Sequence, residues 1–526
     1  MLQTMGGSNK SKDREVHQMA SATPQPSFLA TRRGKLVLAL LASVAFLDFV
    51  DASIVNIALP SIRGDLGFSE QGLQWVPSAY LLTYGGFMLL GGRAADLLGR
   101  RRILVAGTML IGVSSLIGGF AESAGVLVAS RLAQGLGAAM MLPAALSILT
   151  TTFKEGPDRT RALGIWGGAA GLASAAGVLL GGLLTEGPGW RWVMFVNPIA
   201  SVLVLGGIFW LLGDDRRRAR LADFDIRGAI LATGGMLLLV FALVEAPDQG
   251  WAATLTVAEL AGAVALLAAF VVNERSSRDP LLPLSIFRIR GLAAADVTQL
   301  IAIAGFLAVF FFLTLYMQNV LGYSPIQTGL AYLPVTAGVG IAAGISSQLL
   351  SRTGTRPVIV AGSLIAASGV YYLSRIPVHG SYLADLLPGL VVMSLGLGAV
   401  FVAVTTAANA GVPADKSGLA AALLNASQQV GGALGLAIFS ALATSRTTDL
   451  LASHTSPAEA LTSGFQRALL ASSLFLLAAA FVALRITNTR GEEERTEAEA
   501  QQEIERPPVD SDGQRQPGAI PEGVRA

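Results

Sequence analysis

The sequence predicts an all-α integral membrane protein of fourteen transmembrane helices. Residues of the AVILMFWYC set make up 52% of the 526-residue chain and charged residues only 14%. A soluble domain needs roughly 25% charged residues to cover its surface. Apolar runs of about 20 residues, the length that crosses a bilayer core, recur along the chain. The 60 glycines agree, since small residues let membrane helices approach closely.

Residues 1–33 are polar, lack periodicity and are expected to form a disordered cytoplasmic tail. The first apolar run follows Arg32, Arg33 and Lys35. It is too long for a signal-peptide core and has no cleavage site, so it is expected to stay as the first span. Spans are expected at about 36–60, 71–92, 103–121, 124–150, 161–184, 192–212 and 228–245. Seven more follow at about 253–273, 292–320, 326–350, 357–375, 382–408, 418–443 and 465–486. The tail from 488 is rich in Glu, Arg, Gln and Pro.

An even number of spans puts both termini on one side. Loops on that side carry about 19 Arg and Lys, including Arg100, Arg101, Arg102 and Arg216, against about 5 in the other set. The positive-inside rule places both termini in the cytoplasm. Arginine (32) far outnumbers lysine (5), which with the abundant Ala and Gly suggests a GC-rich bacterial genome and hence a multi-pass protein of the bacterial inner membrane.

A faint repeat divides the chain. The loop after the second span, Gly92 to Arg101, matches the loop after the tenth, Ser347 to Arg356, with Gly99 aligned to Gly354 and Arg101 to Arg356. Two related halves around a central site are a common transporter design. The expected organisation is a six-helix bundle over 34–212, two inserted helices with their loops over 213–291, a second six-helix bundle over 292–487 and a disordered cytoplasmic tail over 488–526.

Composition also excludes. With no cysteine there are no disulfides, thiolate catalysis or cysteine-ligated metals, and His17, His379 and His454 are scattered. No nucleotide-binding loop is present, so no catalytic residue, metal or cofactor is expected and the chain is not read as an enzyme. A net charge of +2 suggests no nucleic-acid partner. The expected partners are the lipid bilayer, a small organic substrate and protons. A periplasmic adaptor is not shown by the sequence and stays open.

An ionisable residue inside a span is costly and marks a functional candidate. Asp48 and Asp51 stand three residues apart in the first span, on one helix face. With that span ending near Pro60, Asp51 lies roughly 13 Å and Asp48 roughly 18 Å from its end at 1.5 Å per residue. The fourth span runs the other way from about Ala124, which sets Arg131 roughly 10 Å below the same surface. Asp51 and Arg131 therefore share a depth. Pairing favours the ionised carboxylate, whereas burial or a second carboxylate favours protonation. A group held between these influences can exchange a proton, with Asp51 the first choice and Asp48 the second. The competing reading is a permanent structural ion pair.

Glu245, Glu259, Asp296 and Asp385 sit near span ends and are expected to be interfacial. Trp75, Tyr80 and Tyr84 on the second span are expected to pack or anchor rather than to cage a ligand. Gln134, one turn beyond Arg131, could bond substrate or a neighbouring helix. Gln134, Tyr84 and Gln318 are the candidates for a substrate cavity.

These patterns resemble the major facilitator superfamily, and within it the fourteen-span drug:proton antiporter family, over nearly the whole chain between the tails. The opening signature is similar in Asp51-Ala-Ser-Ile-Val-Asn56-Ile-Ala-Leu-Pro60, and the fourth-span motif in Leu127-Val-Ala-Ser-Arg131-Leu-Ala-Gln134-Gly135-Leu-Gly137. Pro283 to Arg288, Tyr316 to Pro325 and Gln428-Gln-Val-Gly431-Gly432 also resemble this group. The resemblance implies a major facilitator fold of two six-helix bundles plus two extra central helices. It implies proton coupling by Arg131 with the first-span aspartates, and a conformational latch at Gly92, Asp96, Gly99, Arg100 and Arg101, although Ala94 stands where leucine is usual.

The fifth-span antiporter motif is represented by Gly177, Gly181 and Gly182, but Val178 replaces its proline. That loss removes a rigid kink while the glycines still permit close packing. The implied function is export of drug-like or amphiphilic compounds in exchange for protons by alternating access. The alternatives are export of an endogenous metabolite (siderophore, antibiotic or lipid precursor) and a non-transporting membrane sensor or scaffold.

Overall fold

The computed structural model describes residues 28–69, 71–153, 157–213, 225–277, 280–412 and 417–489. Most of both expected tails lies outside them. Among the described residues the chain makes fourteen helical passages. The first seven are α1 (Arg32–Leu66), α2 (Trp75–Leu98), α3 (Arg100–Gly119), α4 (Ala124–Thr152), α5 (Pro157–Glu186), α6 (Arg191–Leu211) and α7 (Ile226–Gln249). Then come α8 (Thr254–Ser276), α9 (Leu292–Val320), α10 (Pro325–Thr353), α11 (Thr355–Leu373), α12 (Tyr382–Asn409), α13 (Ser417–Ala452) and α14 (Pro457–Ala483).

Thirteen of the passages are long and apolar enough to cross a membrane. The other, α2, carries Ser78, Tyr80, Thr83 and Tyr84 in its first half, and all four are buried. Its lower hydropathy reflects a helix that faces protein rather than lipid.

Local sequence sets the helix ends. Thr31 accepts the Gly34 N–H at 2.9 Å and caps α1, and Gly67 ends it in the left-handed region (φ 69°). Pro60 does not end the span, as the sequence suggested. It lies inside a helix of 35 residues, about 50 Å long at 1.5 Å per residue, so α1 overshoots the bilayer core.

Helix packing repeats with a shift of eight. α1 packs on α5 and α6 as α9 packs on α13 and α14; α4 packs on α2 and α3 as α12 packs on α10 and α11; α3 meets α6 as α11 meets α14. The two six-helix bundles meet along two equivalent seams, α2 with α13 and α5 with α10. The loop repeat has the same physical basis. Gly99 (φ 105°) and Gly354 (φ 81°) make the reversals between α2 and α3 and between α10 and α11, a backbone that glycine adopts without steric cost. Arg101 lies over the Phe209 ring of α6, 5.4 Å from its centroid, and Arg356 donates to Ile486 O just beyond α14 at 2.8 Å. Each arginine therefore ties its reversal to the last helix of its own bundle.

The two extra helices, α7 and α8, pack on each other, and α7 also lies against α2 and α13 with Thr233 on Gly86. The α5–α10 seam has no such cover among the described residues. It is tight at the face away from the chain termini. A Cβ at Gly182 would lie 2.7 Å from Pro325 O, and one at Gly329 2.9 Å from Val178 O. Glu186 accepts the Ile326 N–H at 3.1 Å, and Gln318 donates to Ile57 O at 3.0 Å. Toward the terminal face, Gly164, Gly167 and Gly171 of α5 and Gly340 and Gly344 of α10 have open space where a Cβ would stand. Close backbone contact between α5 and α10 is therefore confined to the face away from the termini.

Candidate functional site

The site is built where α1, α2, α4 and α6 meet inside the first bundle. Close backbone approaches bring these helices together. α4 lays Gly135 against Tyr80 O and Thr83 of α2, and Gly107 of α3 faces Gly137 O of α4, where a Cβ would be 2.7 Å away. Thr83 donates to Leu132 O at 2.8 Å and fixes the α2–α4 register. With the helices this close, side chains can reach one another with no room for lipid between them.

Asp51 and Arg131 form an ion pair at 2.9 Å, with Arg131 1% and Asp51 2% exposed. The other Asp51 oxygen accepts from Asn197 of α6. Arg131 also donates to Val76 O at 3.0 Å and to Gln134 Oε1 at 2.7 Å, and its guanidinium lies over the Tyr80 ring, 4.5 Å from the centroid. Gln134 in turn donates to Ser115 of α3. A buried ion pair is tolerated only when its remaining donors and acceptors are satisfied in this way.

Asp48, one turn earlier on α1 and 4% exposed, is held differently. Tyr80 Oη donates to its Oδ1 and Tyr84 Oη to its Oδ2, each at 3.0 Å. The two tyrosines are four residues apart on one face of α2, with ring centroids 5.5 Å apart. One carboxylate is thus matched by a cation and the other by neutral hydroxyls.

The structure brings Asp48, Asp51 and Arg131 together within one bundle. It also adds residues that sequence reasoning passed over. Asn197 and Ser115 are neutral and carry no signal in an apolar span. Tyr80 and Tyr84 are neither anchors nor simple packing groups, since their hydroxyls hold Asp48; their i, i+4 spacing opposite an intramembrane acid was the available clue.

Each of the three expected cavity residues has a protein partner in this conformation. Gln134 is fully buried, with its amide engaged between Arg131 and Ser115, and Tyr84 is 2% exposed. Gln318 is half-buried and bridges the bundles at the closed face through Ile57 O. In this conformation neither Gln134 nor Tyr84 faces open space, because each is held by a buried polar partner.

Of the fifth-span glycines, Gly177 and Gly181 face Ser53 and Ile54 of α1, and Gly182 faces α10. α5 runs unbroken through Val178. In the latch region Gly92 lies against Pro143, Gly99 makes the reversal, and Arg100 opens α3 beside Arg101. The Asp96 side chain lies outside the described residues. Glu245, Glu259 and Asp385 are half-exposed near helix ends. Asp296 departs from the interfacial expectation: it is 5% exposed, and neither carboxyl oxygen has a hydrogen-bond partner among the described residues. It lies one turn inside α9, on a helix packed tightly against α13. Among the described residues no group of three His, Cys, Asp or Glu side chains could hold a metal.

The Major Facilitator Superfamily model matches residues 41–436. The chain is 42% identical over 428 residues to the puromycin resistance protein of Streptomyces alboniger, covering 80% of this chain and 84% of that one. It is 39% identical over 466 residues to the cephamycin export protein of Amycolatopsis lactamdurans, covering 88% and 94%. A bacterial homologue of the human lysosomal transporter Spinster, solved in an inward-facing and occupied conformation, shares the fold with a TM-score of 0.62 at 17% identity, covering 87% of this chain and 98% of that one. With twelve of its fourteen described helices in two related bundles and a match over most of its length, the chain belongs to the Major Facilitator Superfamily and is a multi-pass membrane transporter.

Proposed function

We propose that this transporter exports drug-like, amphiphilic organic molecules in exchange for protons by alternating access, from the bacterial inner membrane with both termini in the cytoplasm. The loop-charge asymmetry supports that orientation, which would put the tight end of the α5–α10 seam at the periplasmic face. The export direction and substrate class rest on relatives named for puromycin resistance and cephamycin export. The observation that carries proton coupling is the pair of buried carboxylates on one face of α1 with unlike partners.

Protonating Asp51 would leave Arg131 buried and uncompensated. Asp48 has only neutral donors, so it can take up a proton without stranding a cation. The geometry therefore favours Asp48 over Asp51 as the carrier, the reverse of the first choice from sequence. The Asp51–Arg131–Asn197 cluster would fix the α1–α4–α6 geometry around it. The domains are read as bundles over 34–212 and 292–487 with the inserted pair over 213–291. The latch at Gly92, Asp96, Gly99, Arg100 and Arg101 would close the cytoplasmic face when α5 and α10 come together. A proton moving inward contributes about 2.3 kcal/mol per 100 mV of membrane potential, plus the pH term.

The test is efflux from cells expressing the protein, over chemically diverse amphiphiles including puromycin, with and without a protonophore. Expression-dependent efflux that collapses with protonophore supports the proposal. Accumulation that responds to neither expression nor protonophore for every compound would refute it. Export of an endogenous metabolite is favoured by the relative named for exporting cephamycin, and the same assay with that compound class separates the two readings.

A further inference from the structure

The start of α10 leaves one backbone donor that its own residues do not satisfy, and the other bundle supplies the acceptor. The first N–H groups of a helix have no partner within it and must be met from outside. Pro325, at the first helical position, has no N–H to satisfy. The Gln327 N–H goes to Ser324 Oγ at 3.3 Å and the Thr328 N–H to Ser324 O at 2.9 Å, while Gln327 Oε1 accepts the Ser324 N–H at 2.9 Å. This capping box closes the local account except for the Ile326 N–H. That group donates to Glu186 Oε2 of α5 at 3.1 Å.

Glu186 is out of place in its own helix. It is the last residue of α5, beside the unpaired carbonyls at the negative end of the helix dipole, where an acid is unfavourable. The same carboxylate meets the positive end of α10, where an acid is favourable. A residue that breaks a local rule and is compensated across an interface points to that interface as its reason. One turn back, Gly182 brings the two backbones together: a Cβ there would lie 2.7 Å from Pro325 O and 2.9 Å from Ile326 Cα. Gln318 donates to Ile57 O at 3.0 Å on the same face, so α9 is tied to α1 where α10 is tied to α5.

We propose that Glu186 is a positioning residue of the α5–α10 seam: a cap given to the N-terminus of α10 by the opposite bundle, which holds this end of the seam together and is released when it parts. Separation returns the Ile326 N–H to water and leaves Glu186 facing only the unfavourable end of its own helix. Both changes favour the joined state. The inference concerns the seam alone and stands apart from the export reading.

The full-length chain has no cysteine, so a spin-label pair on two introduced cysteines at the facing ends of α5 and α10 reads the seam distance in lipid nanodiscs. Wild type is expected to show mainly the short distance. Glu186→Ala should lower the ratio of short to long distances about fivefold. Glu186→Lys, which sets a cation against the positive end of α10, should lower it about tenfold. Glu186→Gln, which keeps an acceptor oxygen without the charge, should fall between wild type and Glu186→Ala. Lysine suits the C-terminus of α5, so the unfolding temperature of Glu186→Lys should not drop although its seam parts. An unchanged distance ratio in both Glu186→Ala and Glu186→Lys would overturn the inference. So would a loss of short distances matched by an equal drop in unfolding temperature in both, which marks general damage to the helix end. Absence of efflux by wild type would count against the export proposal and leave these distances as they are.

Discussion

The two bundles share one packing plan and fill it with different chemistry. In the first, α1 and α4 bring Asp48, Asp51, Arg131 and Gln134 into the interior, and α2 and α6 supply neutral partners for them. In the second, α9 takes the place of α1 and carries Phe306, Phe310, Phe311 and Phe312. Phe310 stacks on Tyr332 at 5.0 Å and Phe312 on Phe465 at 5.9 Å, while Tyr332 bonds Phe310 O at 3.0 Å. The α12 counterpart of α4 has no charged residue between Leu387 and Asn409. The lesson is a division of chemistry: buried carboxylates with charged or hydroxyl partners sit in the first bundle, whereas the second pairs aromatic rings and buries one carboxyl, Asp296, without a partner among the described residues.

The largest test of that division is Arg131→Met. It leaves Asp51 buried without its cation, which typically costs about 3–5 kcal/mol. Thermal unfolding is expected to fall sharply and transport to be lost, with Asp51→Asn in the same chain recovering stability but not transport. Full stability in the single variant would show that the pair is not the keystone of the first bundle. Phe312→Ala in the second bundle is expected to cost a similar roughly 3–5 kcal/mol through cavity formation. Its proton-to-substrate ratio should nevertheless equal wild type in flux measurements. A changed ratio would mean that coupling extends into the aromatic wall.

Gly182→Leu places bulk against Pro325 and Ile326 at the closed face. Overpacking costs about 1–3 kcal/mol, enough to reduce the closed population roughly tenfold. Since the chain has no cysteine, an introduced cysteine pair across α5 and α10 reads that population directly, and the cross-link yield should drop. The smallest effect is expected for Asp296→Asn. An amide is less costly to bury than a carboxyl without a partner, so stability should hold or rise and coupling should persist. Loss of coupling there would place responsive charge in both bundles and end the comparison.

Much of this was readable before any coordinates. Helix length and hydropathy are local properties, so fourteen spans could be traced, and the Gly99–Gly354 alignment exposed the repeat because only a glycine makes each reversal freely. The depth match between Asp51 and Arg131 needed only the helical rise. It held because Pro60 lies near the depth that matters, although α1 continues to Leu66. What stayed hidden were neutral partners. Asn197 and Ser115 look like ordinary span residues, and only the fold brings Asn197 to Asp51 and Ser115 to Gln134. Asp296 misled for the same reason: the fifth residue of α9 reads as interfacial, but the neighbouring helices bury it.

The most direct measurement is proton flux coupled to substrate in liposomes containing wild type, Asp48→Asn or Asp51→Asn. Asp48→Asn is expected to abolish substrate-dependent proton movement while exchanging substrate at a near wild-type rate, and Asp51→Asn to impair both through the loss of its buried pair. Wild-type proton coupling in Asp48→Asn would contradict the assignment of the proton to the tyrosine-held carboxylate.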